Sequence, residues 1–398
     1  MADTITPLKP LEKPRNVSIK EKTKEKKDQA YYGVLISHKY FQKLLKQKAH
    51  FRTKKLIKVN KETIKFRLYF FSVMTVNIKK QEIRGIYYDD KAGKFKTARY
   101  PYPDFLYRRG GVKKNKKTYH IFLRQCKRRN TIFLNPASLG NWDVYKRFQK
   151  VHSLKKYLQE TILYKEPSDL YSMLKKHRII YLKGKTGRKG QNVIRIEKVS
   201  AKKYRYRYYN VVTKKVETIQ ARSRKELIPF IESFYKGKTF MIQEAIPLLE
   251  INKRRVDLRA ELQRDETGMI TICGISARVG KAKSPVTTHA KAVTINELFT
   301  RLKLSSDKKA ALLSDIEEFL YKIYQEAENH YGMFAEMGID FALDQNDNIK
   351  FIECNSQSVK VSLYKAHGSQ ALEKSLSNVL QFADYLHKEN TKKAAKAN

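Results

Sequence analysis

From Tyr31 onward, apolar positions recur at intervals that separate strands from helices. Short runs dense in β-branched and aromatic residues, YYGVLIS, RLYFFSVMTVNI and EIRGIYYDD, read as strands, and DDKAGK reads as the turn after the last of them. The Pro-punctuated segment YPYPDFLYRRGG closes this region. A helix is expected around residues 115–129, then the loop NPASLGNW; VYKRFQKVHSLKKYLQ and PSDLYSMLKKH follow with apolar residues at helical spacing. Strands then dominate: IIYLK, NVIRIEKV, KYRYRYYNVV, TFMIQEAI, VDLRAELQ and MITICGISARV. A long amphipathic helix comes next, with Ser305, Ser306 or Asp307 at its cap and Ala310, Leu313, Ile316, Leu320 and Ile323 on one side. A hairpin, EMGIDFALDQNDNIKFIECN, and a helix through LEKSLSNVLQFADYLH complete the pattern, and no internal repeat is evident. The main boundary falls near residue 135.

With 398 residues and 41% apolar content the chain can bury a large core, enough for two or three domains. Its 84 Lys+Arg against 39 Asp+Glu give a formal charge of +45, which points to anionic partners: nucleotide, nucleic acid, acidic polymer or anionic surface. Residues 1–30 and 388–398 are Lys-rich and poor in apolar residues, so they are expected to be disordered basic tails. Cys126, Cys273 and Cys354 are far apart and odd in number, without metal-ligand spacing, which argues against a disulfide framework and for a reducing compartment. The N-terminal MADTITPLKPLEKP lacks a signal-peptide core, and no apolar run approaches ~20 residues. A cytoplasmic location without a membrane span is expected.

The hairpin carries the most informative chemistry. Alternating residues flank the polar turn QNDN, so a symmetric even-length loop pairs Asp340 with Glu353 and Gly338 with Asn355. Two carboxylates facing each other across a strand pair repel. A divalent cation removes that cost, and Mg²⁺ prefers oxygen ligands while keeping positions open for phosphate oxygens. A solvated hairpin with its carboxylates in water fits the same pattern.

IIYLKGKTGRKGQNVIRIEKV places Gly184, Gly187 and Gly190 in a loop with Lys183, Lys185, Arg188 and Lys189. A P-loop reading of its GKT fails, because Ile179 stands where a glycine is needed and a strand rather than a helix follows. A glycine-rich hairpin tip can still fold backbone N–H groups and cations over a triphosphate; a plain basic hairpin fits equally. In VDLRAELQRDETGMITICGISARVG, Asp257, Arg259, Glu261 and Gln263 share one face. Folding about DETG sets Ser276 opposite Asp257 and brings Arg278 to that face. Paired arginines can clamp a transferring phosphoryl group, or they can line a solvated sheet with carboxylate partners. TFMIQEAIPLL reads as a core strand or as an interlobe linker broken by Pro247. His289 has no nearby metal-type partner, and no nucleophile–histidine pairing supports acyl-enzyme chemistry.

These pieces occur in a recognisable order, and together they resemble the ATP-grasp superfamily, more closely its YheC/YheD-type endospore coat-associated family. The resemblance rests on YPYPDFLYRRG, NWDVYKRF, YLQETILY, YLKGKTGRKG, FMIQEAI, VDLRAELQ, ISARVG and EMGIDFALD…IKFIECN, and covers roughly residues 31–385. It implies an α/β (α+β) chain with a small N-terminal α/β domain at 31–134 and an ATP-grasp domain at 135–387. That domain divides into a glycine-loop lobe, 135–245, and a metal-binding lobe, 246–387, which clasp the nucleotide. By the same resemblance Asp340, Glu353 and Asn355 hold Mg²⁺, Lys183 contacts ATP phosphate, and the loop from Gly184 to Gly190 closes over the triphosphate. Arg259 and Arg278 face the γ-phosphate, Gln243, Glu244 and Ile246 belong to the adenine hinge, and Glu250 contacts ribose. The implied activity is ATP- and Mg²⁺-dependent carboxylate–amine ligation through an acyl phosphate, associated with the spore coat and its proteins.

The chain departs from the family pattern at Asn141, where a lysine is usual, and at Thr288–His289 and Lys291–Ala292 in place of Thr-Asn and Gly-Gly. NSQSVK lacks the usual proline, and Gly184 stands where Lys-Pro is common. Two alternatives follow: a coat or scaffold protein of this fold with impaired turnover, or a basic nucleic-acid binder using the Tyr–Arg interleaving of KYRYRYYN.

Overall fold

The computed structural model describes residues 29–111, 115–185, 192–210, 212–213, 215–280 and 291–397. Their strands form three sheets, taken in turn along the chain. The first contains β1 (Tyr31–Leu35), β2 (Arg67–Phe71), β3 (Val76–Asn77), β4 (Glu82–Asp89), β5 (Lys94–Pro101), β6 (Phe105–Arg108) and β7 (Ile132–Phe133). Its order is β3-β4-β2-β1-β6-β7, with β5 paired to β4. β1 lies parallel to β2 and β6, so the chain must cross over between them. Helices α1 (His38–Leu45) and α2 (Phe51–Glu62) make the first crossover, and α3 (Lys116–Arg128) joins β6 to β7. Both faces of this sheet are therefore apolar: Tyr32, Val34, Phe70 and Phe105 line one, Leu35, Tyr69, Phe71 and Leu106 the other.

Helix α4 (Asn141–Phe148) leads into the second sheet, which is β8 (Thr161–Leu163), β9 (Ile179–Gly184), β10 (Val193–Lys198), β11 (Tyr204–Asn210), β12 (Lys215–Ala221) and β13 (Phe240–Glu244). The order β12-β11-β10-β9-β13-β8 is antiparallel throughout. Antiparallel strands can keep one face polar. Ile180, Leu182, Ile194, Ile196 and Ile242 point to α5 (Pro167–Lys176) and α6 (Arg224–Tyr235), while Tyr181, Lys183, Arg195 and Gln243 alternate onto the other face.

The third sheet comprises β14 (Glu250–Ile251), β15 (Arg254–Arg264), β16 (Ile270–Val279), β17 (Lys291–Thr294), β18 (Glu336–Leu343) and β19 (Ile349–Asn355). Its apolar face, with Val256, Leu258, Ala260, Ile339 and Phe341, packs on α7 (Ile295–Arg301), α8 (Ser306–Tyr331) and α4. Its polar face is covered at one end by the start of α9 (Val361–Ala397), whose backbone breaks at Gly368 (φ 78°). Beyond the break, Leu372, Leu376, Val379 and Leu380 join the core of the first sheet. The last helix thus ties the two ends of the chain into one packed unit. No helix among the described residues is long and apolar enough to cross a membrane.

Several expectations need correction. Residues 388–397 continue α9 rather than forming a disordered tail, supported by Lys388–Asp384 and Lys392–Glu389 pairs at 2.7 and 3.0 Å. Residues 1–28 lie outside the described residues, and Ala30 is already buried, its carbonyl accepting from Arg67 N at 3.0 Å. The α8 face is rotated: Leu312, Ile316, Phe319, Leu320, Ile323 and Tyr324 are buried, whereas Ala310 is exposed and Leu313 half-buried. Ser305 is its cap, accepting from Lys308 N at 3.4 Å. Helical spacing after α4 gives way to a 3₁₀ turn at His152–Tyr157. α1, α2 and α6 were not signalled by patterning; α6 even contains Pro229.

Candidate active site

The hairpin of β18 and β19 pairs Asp340 with Glu353 and Gly338 with Asn355, as alternation predicts, but by a different route. The loop is odd, not even. Asp344 closes it, its Oδ1 accepting from Asn346 N and Asn348 N at 2.8 and 2.9 Å, and Asp347 takes a left-handed φ of 63°. A bulge at Ile352 then adds one residue to β19 and restores the expected pairing. The β15–β16 hairpin repeats the device: Asp265 Oδ1 accepts from Thr267 N and Met269 N, Gly268 has φ 80°, and Cys273 is the extra residue. Here both slips run the same way, so the expected pairing of Asp257 with Ser276 is wrong. Asp257 faces Arg278 and Arg259 faces Ser276. A shift of two keeps every side chain on its face.

On the polar face of the third sheet, arginines and carboxylates converge. Arg278 forks onto Asp257, with Nε and Nη2 at 2.7 and 2.6 Å from its two oxygens, and Nη2 also lies 3.2 Å from Asp340 Oδ1. Arg259 Nη2 donates to Asp340 Oδ2 at 2.9 Å, and its Nε reaches Oδ1. Gly338 makes room for this guanidinium; a Cβ there would collide with Arg259 Nη1 and lie 3.0 Å from Ser358 Cβ. Burial pushes the Asp340 carboxyl up, but the Arg259 and Arg278 charges outweigh it and hold it below the usual range. Glu353 goes the other way: burial and then the Asp340 charge raise it, and Asn355 Nδ2 donates to its Oε1 at 3.1 Å.

Across from this face stands Lys183 of β9. Its Nζ donates to Gln243 Oε1 at 2.5 Å, and Gln243 Nε2 donates on to Thr161 Oγ1 at 3.0 Å. Burial lowers the Lys183 pKa, and the charges of Glu353 and Asp340 oppose that shift, so the lysine feels the acidic pair. Gly184 ends β9, its N–H donating to Asn192 O at 3.1 Å; Gly187 and Gly190 lie outside the described residues, as does His289. The head of α4 sits at the root of this loop, since a Cβ on Gly140 would be 3.8 Å from the Lys185 carbonyl. Asn141 therefore opens α4 with an amide where a cation was expected.

The remaining candidates are more dispersed. Glu244 turns its side chain to the other side of β13, accepting from Glu160 N at 3.2 Å and lying 3.6 Å from His177 Nδ1, so only its backbone belongs to the cleft side. Ile246 follows β13, its carbonyl accepting from Leu248 N at 2.9 Å. Glu250 on β14 is exposed and 3.9 Å from Arg255 Nε.

A buried ionic group beneath the site escaped the sequence reading. Lys360 Nζ lies 2.7 Å from Glu336 Oε2 and 3.9 Å from Glu261 Oε2; Ser358 Oγ donates to Glu261 Oε1 at 2.5 Å, and Arg109 bonds Glu336 and donates to Ser358 O at 2.6 Å. Glu261, Glu336 and Lys360 are all 1% exposed or less. This group fixes the segment after Asn355 to β15, β18 and the first sheet. The signal was present: Glu336, Gly338 and Asp340 alternate onto one face, as do Arg259 and Glu261.

Two carboxylates that repel one another, with an amide oxygen donor beside them, suit a hard divalent cation. Among the described residues no three His, Cys, Asp or Glu side chains form a metal-holding group; the amide of Asn355, hydrogen-bonded to Glu353, is the further oxygen-bearing group beside the pair.

A parallel-centred first sheet, an antiparallel glycine-loop sheet and a third sheet with an acidic face opposite a lysine define an ATP-grasp fold. The VanG D-Ala:D-Ser ligase from Enterococcus faecalis shares it, with a TM-score of 0.51 at 10% identity over 89% of this chain and 99% of that one. The profile of the YheC/D like ATP-grasp family matches residues 130–386, and the chain belongs to that family. Among curated relatives, the endospore coat-associated proteins YheD and YheC of Bacillus subtilis (strain 168) are each 21% identical to it, over 309 and 297 residues. Each match covers 73% of this chain; it spans 64% of YheD and 80% of YheC.

Proposed function

We propose that the protein is an ATP- and Mg²⁺-dependent carboxylate–amine ligase that works through an acyl phosphate. The observation that carries this reading is the convergence of Asp340 and Glu353 with Arg259, Arg278 and Lys183 where the second and third sheets face each other. Lys183 binds phosphate oxygens, and the loop from Gly184 to Gly190 covers them. The backbone from Gln243 to Ile246 meets the adenine edge, and Glu250 reaches the ribose. Mg²⁺, held by Asp340, Glu353 and Asn355, neutralises phosphate charge when bound. Arg259 and Arg278 move from carboxylate partners toward the charge that develops on the transferred phosphoryl group, so they stabilise the transition state more than the resting complex. The cleft walls hold the acyl phosphate away from water until an amine attacks it. The relatives' names extend the proposal to the spore coat as the place of action, with an acidic polymer or peptide as substrate suited to the basic chain.

A second reading is favoured by Asn141. With an uncharged residue at the head of α4, next to Lys185, the triphosphate lacks one cation, and a nucleotide-binding coat protein without turnover results. Phosphate release from ATP and Mg²⁺ over a panel of carboxylates and amines, with hydroxylamine to trap acyl phosphate, separates the two. Hydroxamate formation supports the ligase. Nucleotide binding with no release across the panel supports the coat protein.

A further inference from the structure

The cleft side of the second sheet carries more positive charge than the nucleotide reading uses. Register places Arg195 directly across from Arg207, and Arg205 across from Glu197. Like charges so placed repel. They cannot turn away, because the opposite face of the same strands is packed with Ile194, Ile196, Tyr204 and Tyr206. Glu197 is the acid offered to them: Arg195 Nη1 donates to its Oε2 at 2.9 Å, and Arg178 Nη2 and Arg205 Nη1 lie 3.7 and 4.0 Å from its carboxylate. Arg207 has no ion-pair partner among the described residues, and its Nε is buried without a hydrogen bond. Burial, then the charges of Arg195 and Arg205, lowers its pKa. Arg255 approaches from the third sheet, donating to the Tyr181 hydroxyl at 2.9 Å, and Tyr181 stands across from Arg195.

We propose that Arg195, Arg205, Arg207 and Arg255 form a second anion site that takes an acidic peptide segment, separate from the nucleotide. Arg205 and Arg207 share a face two residues apart, about 7 Å along the strand. An extended peptide repeats its carboxylates at that same spacing, whereas a lone phosphate needs guanidiniums converging on one atom. Planar guanidinium forks match carboxylates two bonds at a time. The neighbouring edge strand β12 sets Val216, Thr218 and Gln220 across from Tyr209, Arg207 and Arg205, so it offers no competing acid on this face. The site goes beyond the ligase reading and needs no turnover.

The test is fluorescence anisotropy of a labelled hexaglutamate peptide on the full chain without nucleotide, alongside ATP titrations. Arg207→Gln should weaken peptide binding about tenfold and Lys54→Gln, the same charge change on exposed α2, less than about twofold. ATP affinity and melting temperature of Arg207→Gln should match the wild type. If Arg207→Gln melts lower, Arg205→Gln, whose side chain is 33% exposed, carries the same expectations. Equal losses for the arginine variant and Lys54→Gln overturn the site. So does an ATP affinity that falls in step with peptide affinity, which would give these arginines to the nucleotide, or tighter binding of a single-stranded oligonucleotide that the arginine variant abolishes. Loss of ATP binding elsewhere would leave the peptide result standing.

Discussion

Gly338→Ala changes one methyl group at the centre of the proposed site. The new Cβ would fall on Arg259 Nη1, the far end of a long side chain that can move. Moving it loosens its pair with Asp340, in which the side chains are 13% and 5% exposed. Removing one partner of a buried pair costs about 3–5 kcal/mol; displacement keeps the charge nearby, so about half of that is expected here. Alanine returns roughly 0.5–1 kcal/mol by stiffening the unfolded chain. The net is a destabilisation of about 0.5–2 kcal/mol, read from the urea midpoint. Turnover of ATP should fall far more, by roughly a hundredfold, because a donor aimed at developing charge is lost. Wild-type stability would refute the placement of Arg259 against Gly338. A stability loss with wild-type turnover would refute its part in phosphoryl transfer.

Other outcomes follow from the same geometry. Lys183→Met should weaken ATP binding at least about tenfold while leaving folding intact, since burial already disfavours the lysine charge; calorimetry checks it. Burial opposes the Glu336 charge, but Lys360 and Arg109 hold its pKa below the usual range, so its stabilisation is full above the unfolded value, about 4.3, and is lost as pH falls through the lower folded value. Glu336→Gln should cost about 3–5 kcal/mol at pH 7 and flatten that acid limb in urea titrations; an unchanged limb would contradict the buried pairing. Asp344→Ala removes the acceptor of two loop N–H groups and should cost about 1–2 kcal/mol with little effect on ATP affinity.

Alternation made the active face legible because a strand's two-residue period survives errors that come in pairs. In the β18–β19 hairpin a one-residue error in the loop was cancelled by the bulge at Ile352, so Asp340 met Glu353 as expected. In β15–β16 the loop and the Cys273 bulge added, Asp257 met Arg278 instead of Ser276, and the face was still correct. Bulges leave no mark on hydrophobic pattern, so register is read less securely than facing. The buried Lys360 group was missed for a different reason. Its members come from β6's end, β15, β18 and the turn before α9, and nothing local says that α9 folds back over a polar sheet face. The helix after Lys388 was missed because Lys and Ala without an apolar stripe look the same in a tail and in a solvated helix.

The central claim is that Asp340 and Glu353 hold the ion that carries the triphosphate. Titrating ATP with and without Mg²⁺ into the wild type, Asp340→Asn and Glu353→Gln by calorimetry tests it most directly. The account predicts that Mg²⁺ tightens ATP binding to the wild type and that either substitution removes most of that gain. Equal Mg²⁺-dependent affinity in all three proteins would contradict it.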